Sequence, residues 1–136
     1  MEYTLAKIDR KSQDHVAFAE WLANEGFIKS ADQACDRCGA QMAFGESKRF
    51  RRDRAAIRCP NQRCRTYHSI RSGSFFQPSA LSIKQQMQLL TLFAGEATVS
   101  SAARTLGIGR KAVTNFFDNC RGVWSVLRPD RVRGLR

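Results

Sequence analysis

Four cysteines fall in two tight pairs, Cys35-x2-Cys38 and Cys59-x4-Cys64, with 20 residues between the pairs. This spacing constrains the fold more than any other feature of the chain. At 136 residues the chain holds one modest domain or two very small ones, and a very small domain buries little apolar surface. Paired thiolates at such spacing suit one tetrahedral Zn2+, which supplies the folding free energy that a thin core lacks. Four protein ligands leave no open position for water, so the expected role of the ion is structural and not catalytic. The expected ligands are Cys35, Cys38, Cys59 and Cys64, with His68 near enough in sequence to replace one of them. The first pair is followed by Gly39, which lets backbone N–H groups turn toward sulfur; the second pair has no glycine after it. The fifth cysteine, Cys120, stands alone and reads as a small core residue. Paired knuckles of this kind suit a reducing compartment and not a secreted disulfide framework.

The charge balance points to a polyanion. The chain has 23 Lys and Arg against 12 Asp and Glu, a net charge of +11. DNA or RNA is the commoner partner for such a surface, and a membrane the rarer one. No apolar run is long enough to span a bilayer, and the N-terminal MEYTLAKIDR has no signal-peptide core. An intracellular location is expected, nuclear if the host is eukaryotic. Lys48, Arg49, Arg51, Arg52, Arg54, Arg58, Arg63 and Arg65 fall within 18 residues, with Asp53 as the only acid among them. A thin ribbon cannot bury eight cations, so they face solvent or phosphate. Phe50 inside the run is expected to pack on the ribbon more than to stack on a base. Lys48 to Arg54 also reads as a nuclear-import signal.

Periodicity divides the chain into residues 1–33, 34–77, 78–128 and 129–136. In the first segment Ser12 or Asp14 caps a helix running to about Glu25, with Phe18, Trp21 and Leu22 on one stripe and Gly26 as its stop. The second segment has short strands at Gln41–Phe44, Ala56–Arg58 and Tyr67–Ile70 between turn residues, which is how a zinc ribbon reads. In the third, Ser82-x-x-Gln85 is a capping box for a helix from Ile83 to about Ala94, with Ile83, Met87, Leu90 and Ala94 on one face. A second helix spans Val99 to Leu106, Gly107 turns the chain, and a third helix runs from after Gly109 to about Leu127. Ala103 is small where two helices would cross, and Ile108, Val113 and Phe117 fill the wedge. That is a helix-turn-helix pattern, which holds its last helix out for the major groove. Arg110, Lys111, Thr114 and Asn115 are its base-reading candidates, because Arg pairs with guanine and Asn with adenine. Arg121 and Arg128 are placed for phosphates, and the last residues, 129–136, read as a basic tail. The fold class expected is small α+β: an N-terminal helix, a zinc ribbon of short antiparallel strands, then a three-helix helix-turn-helix domain.

The order of these motifs resembles a family. Trp21-Leu22-x3-Gly26-Phe27-Ile28 precedes Cys-x2-Cys-Gly, then Arg58-Cys59-Pro-x3-Cys64, then Ser69-Ile-Arg-x-Gly73-Ser-Phe-Phe76-x2-Ser79-x-Leu81 and the helix-turn-helix. This is similar to the N-terminal region of Merlin and ISXO2-like (IS1595-type) DDE transposases, over roughly residues 16 to 127. The stretch from Ile70 to Leu81 is its most specific part, since zinc ribbons in general do not carry it. The resemblance implies recognition of transposon-end inverted repeats, with catalysis in a separate RNase H-like domain bearing three metal-binding carboxylates. No such trio is available here, so the chain as it stands is expected not to be an enzyme. It reads as the DNA-binding part of a transposase, or as a domesticated derivative without the DDE domain. The partners expected are double-stranded DNA, a second copy of the chain as a dimer, or a C-terminal catalytic domain. The alternative is a zinc-ribbon module for protein interaction or transcriptional regulation. Two departures from the family pattern are the wide second knuckle and Gly109, where a serine is common.

Overall fold

The computed structural model describes residues 3–76 and 79–127. Pro78, Arg128 and the basic tail 129–136 lie outside the described residues, as do the side chains from residue 123 onward. Five helices and a three-stranded antiparallel sheet make an α+β architecture. The order is α1 (Leu5–Lys11), α2 (His15–Asn24), β1 (Ala43–Glu46), β2 (Ala55–Arg58), β3 (Tyr67–Ser69), α3 (Ile83–Ala94), α4 (Val99–Leu106) and α5 (Arg110–Leu127). The chain divides into two compact units, Asp9–Ile83 and the remainder.

In the Asp9–Ile83 unit, Asp14 caps α2 through its carboxylate, which accepts the N–H groups of Val16 at 3.0 Å and Ala17 at 3.1 Å. Gly26, at φ +84, ends the helix and lets the Phe27 N–H reach the Leu22 carbonyl at 2.9 Å. The buried stripe Phe18, Ala19 and Leu22 packs on β1 and β2, and Trp21 stacks on Phe18 at its edge. The sheet order is β1-β2-β3, with Phe44 opposite Ile57 and Ile57 opposite His68. Central β2 is buried at Ala55, Ala56 and Ile57, whereas both edge strands are half-covered. The strands are short, so they contribute few apolar pairs.

The other unit contains α4 and α5 packed on each other. Thr98 caps α4 by accepting the Ser101 N–H at 3.1 Å. Gly107, at φ +66, closes it, and the N–H groups of Gly107 and Ile108 both reach the Ala103 carbonyl. Ala102, Ala103, Ile108, Val113, Phe116, Phe117 and Cys120 are buried. Phe93 of α3 meets Phe117 edge-on at 5.3 Å.

Two details differ from what the sequence leads one to expect. Helix α1 has no counterpart in the expected elements: LAKIDRK has a single buried position, Ile8, and so no amphipathic period. Its signal is Thr4, whose hydroxyl accepts the Lys7 N–H at 3.1 Å. On α3 the fully buried side chains are Ile83, Gln86, Met87 and Leu89, while Leu90 and Ala94 are half-covered. The buried face is thus turned from the expected stripe, because it accepts a glutamine that apolar periodicity passes over. Among the described residues no buried side-chain nitrogen or oxygen lacks a partner.

Candidate metal centre and the basic surface beside it

The two cysteine pairs converge. The sulfur atoms of Cys35, Cys38, Cys59 and Cys64 all lie within 4.8 Å of one another, an arrangement that could hold a metal ion. Cys35 Sγ is 3.7 Å from Cys64 Sγ, and Cys38 Sγ is 3.3 Å from Cys59 Sγ. A tetrahedral ion with Zn–S bonds of about 2.3 Å sets its sulfurs about 3.8 Å apart, close to these separations. Among the described residues the cluster contains sulfur alone. His68 stands outside it, with Nε2 3.9 Å from Asp36 Oδ1. All five cysteines are free of disulfides.

The two knuckles share a backbone plan. In the first, the Cys35 N–H donates to the Ala40 carbonyl at 2.7 Å, the Gly39 N–H donates to the Cys35 carbonyl at 2.8 Å, and Gly39 sits at φ +76. In the second, the Cys59 N–H donates to the Thr66 carbonyl at 2.9 Å, and Arg65 takes the left-handed place at φ 51. The wider spacer is absorbed by a turn in which the Asn61 carbonyl accepts the N–H groups of Cys64 and Arg65, both at 3.0 Å. Hence the second knuckle, irregular in sequence, closes like the first.

Backbone dipoles tune the sulfurs. The N–H groups of Arg37 and then Cys38 bring Cys35 down to about 6, with help from the Thr66 hydroxyl and the Cys64 thiol and against the cost of burial. The Ala40 N–H, aided by the Cys59 thiol, lowers Cys38. Burial dominates at Cys59 and pushes it up to about 12, although the Asn61 N–H pulls the other way. A bound cation removes that conflict, because it supplies the countercharge that lets a buried sulfur stay ionised. Cys120 is a different case. It is buried in the other unit, and burial pushes it up to about 12, as befits an inert core thiol.

The eight cations of the basic run are all exposed. Lys48, Arg49, Arg51, Arg52 and Arg54 occupy the loop between β1 and β2. The single acid in that loop, Asp53, turns away from them. Its carboxylate takes Arg71 Nε at 2.6 Å and Nη2 at 3.0 Å, and also the Ile83 N–H at 2.8 Å. Arg71 is buried and donates further to the carbonyls of Phe76, Ser79 and Leu81. It thereby ties Phe76, Ser79 and Leu81 to the β1–β2 loop through Asp53. Sequence alone places Arg71 in the stretch from Ile70 to Leu81 without giving it a role. The available signal is an isolated acid in a run of cations.

Arg110, Lys111, Thr114 and Asn115 are exposed at the start of α5, opposite buried Val113, Phe116 and Phe117. Arg121 is exposed but engaged: its Nη1 is 2.8 Å from Asp118 Oδ1 and its guanidinium lies 5.7 Å from the centre of the Phe93 ring. No helix among the described residues is long and apolar enough to cross a membrane. Compared with protein-family models, with curated proteins and with solved structures, the chain yields no match.

Proposed function

We propose that the chain binds double-stranded DNA sequence-specifically, with one Zn2+ held by Cys35, Cys38, Cys59 and Cys64. It does so as the transposon-end-recognising region of a Merlin/ISXO2-like transposase, or of a derivative without the DDE domain. The observation that carries the reading is the convergence of four sulfurs in the unit whose β1–β2 loop exposes Lys48, Arg49, Arg51, Arg52 and Arg54. On this reading residues 34–77 are a zinc ribbon, and its cations displace counterions from phosphates. The segment α3–α5 is a helix-turn-helix domain, supported by the Gly107 turn and by the buried wedge of Ile108, Val113 and Phe117. Arg110 and Asn115 then meet base edges, with Lys111 and Thr114 beside them. Arg121 reaches phosphate only by leaving Asp118, so its contribution is the smaller one.

Selection of bound sequences from random duplexes at stated salt is the first test. Asn115→Ala should weaken binding to the selected duplex by about 1–3 kcal/mol and relax preference at one position. Equal loss on every duplex would reduce α5 to a phosphate contact. Arg51→Ala with Arg52→Ala should weaken binding to all duplexes and flatten the salt dependence, by about one unit of slope for each phosphate no longer neutralised. An unchanged slope, or a purified chain without stoichiometric zinc, would overturn the assignment of the ribbon.

A further inference from the structure

Beside the second knuckle the sheet carries a groove of about 620 Å3, lined among others by Phe44, Gly45, Arg58, Asn61, Arg65 and Tyr67. None of its lining residues is acidic. The volume lies within the roughly 300–1,000 Å3 of clefts that take small ligands. That volume has room for one nucleotide.

Two arginines of the groove wall are held in unusual ways. Arg58 lies across Gly45, where a Cβ would come within 2.6 Å of Arg58 Cδ; any side chain there would displace the arginine. Arg58 is then fixed by its bonds to the Glu46 carbonyl at 3.1 Å and the Tyr67 hydroxyl at 3.3 Å, with its guanidinium 5.2 Å from the Tyr67 ring centre. Arg65 sits at φ 51, a left-handed conformation that costs a residue with a Cβ free energy and costs glycine almost none. The knuckle needs the conformation, not the side chain. An arginine at a position that favours glycine gives the groove wall a guanidinium that glycine would not supply.

We infer that this groove binds an unpaired nucleotide of a DNA strand, its phosphate on Arg58 and Arg65 and its base against the Phe44 ring. The chemistry is that of single-strand recognition, in which cations track the phosphate and bases lie on aromatic or guanidinium planes. The inference rests on the nucleic-acid reading above and deepens it: the unit would hold a strand that is frayed or opened, alongside the duplex held elsewhere on the chain.

The test uses the full zinc-loaded chain and its Arg65→Gly variant, which relieves the backbone while removing the guanidinium. Each is titrated separately with a blunt duplex and with a short single-stranded oligothymidylate bearing a terminal phosphate. The wild type should bind the single strand, and Arg65→Gly should lose about tenfold or more of that affinity while losing no more than about threefold on the duplex. Thermal unfolding checks that the variant is folded; its midpoint should not fall. No binding of the single strand, or equal losses on both probes, would overturn the groove and leave duplex binding standing. Single-strand binding that depends on Arg65, with no binding of any duplex, would support the groove and overturn the double-stranded reading.

Discussion

Arg65 and Gly39 occupy equivalent places, each directly after the last cysteine of its knuckle and each in the left-handed region. Sequence marks only the first knuckle's turn, because glycine announces that conformation and arginine hides it. What compensates at Arg65 is the turn at Asn61, whose carbonyl accepts two consecutive N–H groups and leaves the backbone no relaxed alternative. Replacing Arg65 by Gly should relieve about 1–2 kcal/mol of backbone strain and return about half of it through a freer unfolded chain. The net gain expected is about 0.5–1 kcal/mol, read as a higher midpoint in thermal unfolding of the zinc-loaded protein. A lower midpoint would mean that the Arg65 side chain itself holds the knuckle. The same scale explains why the cysteine ligands are legible: a sulfur quartet is announced by residue type and local spacing, both written in the chain. His68, near in sequence, is not among the clustered ligand atoms and has Nε2 3.9 Å from Asp36 Oδ1.

At the scale of elements, the Asp53–Arg71 pair organises the segment between the sheet and α3. One carboxylate serves a buried guanidinium and also the first N–H of α3, a donor that no intrahelical carbonyl can satisfy. Sequence offers Ser82-x-x-Gln85 as the start signal of that helix and places its bounds at Ile83 and about Ala94, as observed. The cap from Asp53 is out of reach of local pattern, since it comes from 30 residues earlier in the chain. Removing one partner of a buried pair strands the other, so Asp53→Ala should destabilise the Asp9–Ile83 unit by about 3–5 kcal/mol. Urea denaturation of the zinc-loaded protein measures it. Arg71→Met added to Asp53→Ala should cost less than the two single changes summed, because no stranded charge remains. Strict additivity would show that the two side chains do not act as a pair. Elements with strong local signals are legible in the chain: Asp14 for α2, Gly107 for the α4–α5 turn, and apolar periodicity for α5. The seven-residue α1, with one buried position, carries too little pattern to be seen.

The molecule as a whole is two units, each with an apolar core of its own. The unit with α4 and α5 buries Ala102, Ala103, Ile108, Val113, Phe117 and Cys120 and draws its stability from that core. The other buries Phe18, Leu22, Ile28, Met42, Ile57, Ile70 and Phe76 and also brings the sulfur quartet together. On the proposed reading, structural zinc contributes about 10–16 kcal/mol to such a unit, as much as the whole net stability of a small domain. A strong chelator should therefore unfold residues 35–76 first, with amide protection retained in α4 and α5 by hydrogen exchange. Simultaneous loss of protection in both units, or in neither, would refute this division. By itself the sequence determined which four cysteines come together, the α+β class, the helices beyond α1 and the exposure of the basic run, because each follows from spacing, periodicity or the cost of burying charge. Only the tertiary structure decided which charged side chains are spoken for: Asp53 by Arg71, and Arg58 by the Tyr67 hydroxyl. It also decided the left-handed turn at Arg65 and the groove beside it. These depend on which distant residues meet, and free energies of pairing across the fold leave no trace in local pattern.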